Sequence, residues 1–308
     1  MGAKAKMTTE AINRQTVDID MLPTAEILRR INVEDAIVPA AVASELPAIV
    51  ATVERVVAAF QAGGRLIYVG AGTSGRLGVL DAAECPPTYN TDPRQVQALI
   101  AGGQRAVTNS VEAAEDDETQ GAREVDALAV SGLDVVVGIA ASGRTPYVVG
   151  ALRRARERGA CAVALVGNRT ASVAAAAEIV ISPQTGPEVV AGSTRMKAGT
   201  AQKLVLNMIS TAAMIRTGHT YGNLMVNVRA TNGKLRERAH RIVAEATSAN
   251  LDDAGRVLVE ADGDVKTAIV MLRAGVEASE ARRRLSHAHG RVRGALAGTE
   301  ASTARGTM

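Results

Sequence analysis

Two glycine-rich segments with clustered hydroxyls, and two carboxylates, one before a double proline and one in an acidic cluster, are the residues here whose types and spacing could do chemistry. Gly70, Gly72 and Gly75 match G-x-G-x-x-G directly after an apolar run, the setting a dinucleotide site demands. The rest of that fingerprint is missing. Where a ribose-binding acid would stand, about 20 residues beyond the glycines, the chain reads Ile100, Ala101, Gly102 and Gly103. A nicotinamide oxidoreductase is therefore set aside. A Walker A loop fails too, because Arg76 follows Gly75 where Lys is needed. What remains is Gly72, Thr73 and Ser74, whose backbone N–H groups and hydroxyls meet at a helix start, the ordinary physics of anion binding. Ser142, Gly143 and Thr145 repeat that chemistry after another apolar run. Taken singly, each segment also reads as a tight strand-to-helix turn. Two such turns on one sheet edge would hold two parts of one phosphorylated ligand. A plain phosphate donor would also need a magnesium carboxylate beside the turns, and the sequence places none there.

Glu84 precedes Cys85, Pro86 and Pro87. A double Pro is expected to end the helix, which puts Glu84 where the chain turns rather than on a regular exposed face. Glu115 lies in the acidic cluster Glu112, Glu115, Asp116, Asp117 and Glu118, whose other reading is a solvated helix end. Glu188, Ser193, Thr194, Arg195 and Lys197 precede a long apolar helix and would place hydroxyls and cations at its positive end. A helix cap with flanking charges explains them equally well. Cys85 has no nearby His and reads as a packed thiol. His219, His240, His287 and His289 are scattered, and the last two lack a third ligand, so no metal site is expected.

The elements that must position these groups follow from hydrophobic period. Thr24 is expected to cap a short helix through Ile31, and Pro39 to open a longer one whose apolar spacing runs from Ala40 to Ala62 before Gly63 and Gly64 stop it. Short apolar runs at 65–70, 96–100, 134–140, 161–166 and 178–181 alternate with helical stretches. Strands apolar on both faces and separated by helices imply α/β architecture with a doubly wound parallel sheet. The helix from about Met196 to Arg216 is apolar on most of its circumference and is expected to be buried all round, in part against a second subunit. A polar helix, Ala230 to Ala246, leads to a small three-helix module with Asp264 as an N-cap and a last helix over Glu277 to Leu285. Its Arg282, Arg283 and Arg284 run reads as a solvated helix face, and Thr299 to Met308 as a disordered tail. The organisation expected is an N-terminal arm and helices, an α/β middle, a connecting helix over 221–247, the small module over 248–300 and a tail over 301–308.

Composition narrows the class. Among 308 residues there is one Phe, Phe60, four Tyr and no Trp, which argues against base-stacking nucleic-acid binders and against all-β sandwiches. The balance of 35 Lys plus Arg against 32 Asp plus Glu is too even and dispersed to imply a polyanion partner. Cys85 and Cys161 make no C-x-x-C pair, which fits a reducing cytoplasm. The first 20 residues lack a secretory apolar core, and no run reaches the ~20 apolar residues of a membrane span. A soluble cytoplasmic protein with no membrane partner is expected.

Three stretches resemble the N-acetylmuramic acid 6-phosphate etherases: Leu66 to Tyr89 with its Glu84, Cys85, Pro86, Pro87 run, Gly138 to Tyr147, and Gly192 to Lys203. The resemblance starts near Ala25, passes through Gly222 to Val226 and reaches about residue 300. Sugar isomerase domains in general share the two turns but not the Glu-Cys-Pro-Pro run. It implies a sugar isomerase (SIS) type domain over about residues 55–220, after an N-terminal arm and helices over 1–54, and a cytoplasmic, homodimeric lyase of cell-wall recycling without metal or cofactor. Such an enzyme cleaves the D-lactyl ether of N-acetylmuramic acid 6-phosphate to N-acetylglucosamine 6-phosphate and D-lactate. Matched position by position, the family's catalytic acid falls on Glu84 and its second active-site carboxylate on Glu115. The sugar-phosphate loops fall on Thr73, Ser74, Ser142 and Thr145.

The implied chemistry suits these groups. Opening the sugar to its C1 aldehyde acidifies the C2 proton, so a carboxylate can remove it while a carboxylic acid protonates the departing lactate oxygen at C3. Water then adds to the double bond. Glu84 would need a raised pKa, expected from burial beside Pro86, Pro87 and Tyr89. Tyr89, Tyr147 and Tyr221 flank these segments and are expected to line the pocket. The alternatives are an aldose-ketose isomerase on the same scaffold and a non-catalytic sugar-phosphate sensor like the two-copy glucokinase regulatory protein.

Overall fold

Strands built from Val, Ile, Leu and Ala without polar alternation must be covered on both faces. They are so covered in the computed structural model, which describes residues 10–228 and 233–303. The chain divides into two units, Met1–Ala83 with Pro93–Thr211, and Glu84–Asp92 with Ala212–Met308. The first unit holds β1 (Leu66–Gly70), β2 (Val96–Ile100), β3 (Val135–Ala140), β4 (Cys161–Val166) and β5 (Ile179–Ile181). All pair in parallel in the order β2-β1-β3-β4-β5, with Leu66 opposite both Val96 and Val135. From β1 the chain winds outward to β2, then crosses back to β3 on the other side of β1. The crevice beyond the carboxyl ends of β1 and β3 is therefore the topological switch point, where ligands of open α/β sheets bind.

Helices α1 (Thr24–Asp35), α2 (Val38–Ala43), α3 (Leu46–Gln61), α4 (Gly72–Tyr89), α5 (Arg105–Thr108), α6 (Glu118–Ala127), α7 (Pro146–Glu157), α8 (Ser172–Ala175) and α9 (Lys197–Arg216) surround the sheet, α4 and α9 continuing past the division. On one face Val125, Val148, Leu152 and Val173 pack over Ile67, Val69, Val136 and Ala164. Tyr68, pointing the opposite way by the pleat, donates its hydroxyl to Asp81 of α4 at 2.8 Å. Asn207 and Ser210 of α9 donate to the same carboxylate at 2.7 and 3.1 Å. At the strand starts, buried Asp134 accepts from Arg65 Nη2 at 2.8 Å and from Ser131 N at 2.9 Å. Burial pushes its pKa up, but the Arg65 guanidinium and the Ser131 N–H outweigh burial and hold it below the usual carboxylate value.

The second unit is helical: α10 (Gly233–Thr247), α11 (Leu251–Glu260), α12 (Val265–Ala274), α13 (Ala278–His287) and α14 (Val292–Thr303). Asn250 and Asp264 cap α11 and α12, accepting from Asp253 N at 2.8 Å and Thr267 N at 2.6 Å. Ile242, Val243, Leu258, Ile269, Leu285 and Leu296 share one core, so α10 belongs to the bundle rather than merely leading to it. Arg283 and Arg284 bridge to Glu280, and Arg282 to Asp262, as a solvated face does.

Several expectations change. The helix expected over residues 40–62 is broken at Ser44 and Glu45, because Pro47 has no N–H for the carbonyl of Ala43 and the Glu45 carboxylate turns to Arg169 at 2.7 Å and Ser182 N at 3.0 Å. Thr24 begins α1 after Pro23 and makes no side-chain cap. The double Pro does not end α4, which keeps Pro86 and Pro87 inside and reaches Tyr89, with Asn90 N bonded to Pro86 O at 2.9 Å. Two missing N–H groups remove only two rungs, and the chain resumes its bonds on the next turn. Among the described residues the C-terminal module has four helices after residue 250, not three, since Gly294 and Gly298 dilute the apolar pattern of α14 although Val292, Ala295 and Leu296 are buried. That helix also takes in residues 299–303 of the expected tail; 304–308, like 1–9 and 229–232, lie outside the described residues. Helix α9 is not buried all round in the single chain, since Met208 is 38% and Ile215 50% exposed.

Candidate functional site

Both hydroxyl-rich turns leave strands at the switch point. After β1 the chain enters α4 at Gly72, and Gly75 must lack a side chain: a Cβ there would meet Ile100 Cγ1 at 2.6 Å and Gly70 O at 2.8 Å. After β3, Gly143 takes φ +71, with Ala171 Cβ only 2.6 Å from where its own Cβ would be. Ser142 Oγ accepts from Arg144 N at 3.3 Å, and Thr145 opens α7 with its carbonyl accepting from Val148 N and Val149 N, both at 3.1 Å. Gly70 is directly opposite Ile139 in the sheet, so the two turns emerge side by side. Thr73, Ser142 and Thr145 are half-buried, whereas Ser74 is buried and donates to Gln202 Oε1 of α9 at 2.9 Å. The Ser74 hydroxyl thus braces α4 against α9 and keeps its lone pairs as acceptors.

Beside the first turn lies a cavity of about 380 Å³ whose lining includes Gly72, Arg76, Asn109, Ser110, Glu112 and Glu115. The fold thereby brings Gly72 and Glu115 together. Glu115 stands exposed in a single 3-10 turn, Ala114–Asp116, entered through Ala113 at φ +59, a left-handed conformation costly for a residue with a Cβ. Arg76 holds this segment, donating from Nε to Val107 O and from Nη2 to Asn109 O, each at 2.9 Å. In the sequence Arg76 stands out only as the residue that spoils a Walker motif. Its partners lie more than 30 positions away, and no local signal marks them.

The start of α9 is built differently. The Glu188 carboxylate is buried and accepts from Lys197 N and Ala198 N, both at 2.9 Å, while Lys197 Nζ donates to Glu34 of α1 at 2.5 Å. These two residues cap and anchor the helix, leaving Ser193 and Thr194 half-exposed just before it. Glu84 is exposed on α4, with Pro86 and Tyr89 half-buried and Pro87 exposed, so the burial expected for it beside these neighbours is not found. It does not line the 380 Å³ cavity. Tyr147 is core, not pocket lining: fully buried, it donates its hydroxyl to Glu124, and burial and that carboxylate raise its pKa. Tyr89 meets His219 edge-on at 6.3 Å, and Arg293 lies 5.3 Å over Tyr221, both within the helical unit.

Comparison with known proteins gives two family matches, the N-terminal SIS domain of glucokinase regulatory protein over residues 48–156 and the SIS domain over residues 111–212. The N-acetylmuramic acid 6-phosphate etherase of Streptomyces coelicolor is 57% identical over 94% of this chain and 94% of its own length. The etherase of Photorhabdus laumondii is 54% identical over 93% of this chain and 95% of its own, and that of Cutibacterium acnes 55% over 94% and 95%. With this identity sustained over nearly the whole of each sequence, the chain belongs to the N-acetylmuramic acid 6-phosphate etherase family.

Proposed function

We propose that the chain cleaves the D-lactyl ether of N-acetylmuramic acid 6-phosphate, giving N-acetylglucosamine 6-phosphate and D-lactate in cell-wall amino sugar recycling. The observation that carries this reading is 57% identity to an etherase over 94% of the chain, and two glycine- and hydroxyl-rich turns side by side at the switch point support it. The phosphate sits on the turns at Gly72, Thr73 and Ser74 and at Ser142, Gly143 and Thr145, with Ser193 and Thr194 near the start of α9 completing the polar rim. Glu188 and Lys197 serve by fixing that start. Glu84 protonates the departing lactate oxygen at C3. Glu115, in the cavity beside Gly72, takes part in removing the C2 proton or in directing water to C3. The enzyme works in the cytoplasm as a homodimer, the partner covering the exposed apolar stripe of α9. Neither a metal nor a cofactor has a part in this scheme.

Incubation with substrate in heavy-oxygen water tests the reaction. Elimination and hydration place label in the sugar C3 hydroxyl and none in D-lactate; label in lactate would exclude the scheme. Glu84→Gln is expected to lower lactate release by at least ~100-fold, as loss of a general acid does. Near-normal release from that variant would remove Glu84 from the role.

A further inference from the structure

Arg76 is the one basic residue among those lining the cavity that holds Gly72 and Glu115. It is half-buried, and its Nε and one Nη2 hydrogen are spent on the carbonyls of Val107 and Asn109. Among the described residues it forms no ion pair. A guanidinium has five donors in a rigid fork, so the end-on edge formed by Nη1 and Nη2 stays open. That edge matches a carboxylate bidentately. The other charged side chains of the lining, Glu112 and Glu115, are both acidic and would repel an entering carboxylate unless a cation stood between.

We infer that Arg76 binds the carboxylate of the substrate's lactyl group, and so selects the lactyl ether over the same sugar phosphate without it. This rests on the function proposed above and adds to it the residue that reads the leaving group. Position separates the two anions of the substrate: the phosphate takes the first turn of α4, and Arg76 lies four residues after Gly72, about one helical pitch of 5.4 Å along the same face. The lactyl group is borne on C3, across the ring from the C6 phosphate, so one ligand can meet both places. Holding the carboxylate also keeps the ether oxygen from rotating away while it accepts its proton.

The test compares wild type with Arg76→Gln on three ligands: N-acetylmuramic acid 6-phosphate, its lactyl carboxamide, and N-acetylglucosamine 6-phosphate as an inhibitor. Losing a charge-assisted hydrogen bond is expected to raise KM for the natural substrate by about 10- to 100-fold. The inhibition constant for N-acetylglucosamine 6-phosphate should move by less than about threefold. Wild type should disfavour the carboxamide by a similar factor, and the variant should not distinguish the two. Arg76→Met, which keeps the aliphatic stem, is the second variant and should behave alike. Equal weakening of both sugar phosphates by the substitutions overturns the proposal, and so does a wild type indifferent to carboxylate or carboxamide, a result that needs no variant to fold. A wild type that releases no lactate would instead reject the proposed reaction, so the two failures are told apart.

Discussion

His219 shows how one residue can report on the helical unit. Burial, reinforced by the nearby Lys266 ammonium, lowers its pKa to about 4. Tyr89 lies edge-on to its ring, and Thr217 Oγ1 is 3.0 Å from Nδ1. Lys266 is itself pushed down by burial, and its Nζ donates to Gly290 O at 3.0 Å. An unfolded histidine takes up its proton near 6.5, the folded one only near 4. Between those values the unfolded chain binds more protons, so stability falls as pH drops through this window. Urea midpoints at pH 7 and pH 5 should therefore differ more for wild type than for His219→Gln; equal differences would show that the ring is not held neutral by the fold. Nothing local announced this, because Tyr89 and Lys266, which face the ring beside Thr217, come from distant segments. The hydroxyl-rich turns were legible for the opposite reason: their chemistry lies in consecutive residues, Gly72 to Ser74 and Ser142 to Thr145, joined to strands with an unmistakable apolar pattern. The same locality explains why Glu188 was ambiguous, since a carboxylate near a helix start reads alike as ligand or cap until its two N–H donors are located.

At the scale of elements, α6 and α7 meet backbone to backbone. A Cβ on Gly121 would fall on the carbonyl oxygen of Tyr147, and one on Gly150 on that of Glu118. Helix α7 springs from the second turn, while α6 follows the 3-10 turn carrying Glu115. The glycine contact thus sets the distance between two parts of the proposed site. Gly150→Ala should cost about 1–3 kcal/mol as overpacking, read as a lower urea midpoint. It should also raise KM, because Glu115 and the Ser142 turn move apart; an alanine variant with unchanged midpoint and KM would show that the helices are not limited by this contact. Asp134→Asn, which breaks the buried pair with Arg65 at the starts of β1 and β3, should cost about 3 kcal/mol by the same assay. Strand positions were readable because both-face burial demands continuous apolar runs. The passage of α4 through Pro86 and Pro87 was not, since the local penalty predicts a stop that the rest of the helix overrides.

Association is the property that belongs to the whole molecule. Helix α9 buries Val205, Leu206, Ile209 and Met214, while Leu204 is half-buried and Met208, Thr211 and Ile215 are exposed. Their spacing of four, three and four residues is one helix face, and a contiguous apolar face on a monomer marks a binding surface. The all-round apolarity that pointed to full burial therefore divides into an inner face used by the chain itself and an outer one that stays exposed, which the homodimer proposed above would cover. A second exposed set, Leu28, Val33 and Ile37, lies on and just after α1 and competes as the contact. In analytical ultracentrifugation wild type should sediment at twice the 31.8 kDa chain mass. Met208→Glu combined with Ile215→Glu should shift it to the single-chain mass with helical circular dichroism unchanged, since both side chains are solvent-accessible and their replacement leaves no cavity. A dimer that survives this change but separates with Leu28→Glu and Val33→Glu would move the interface to the N-terminal helices.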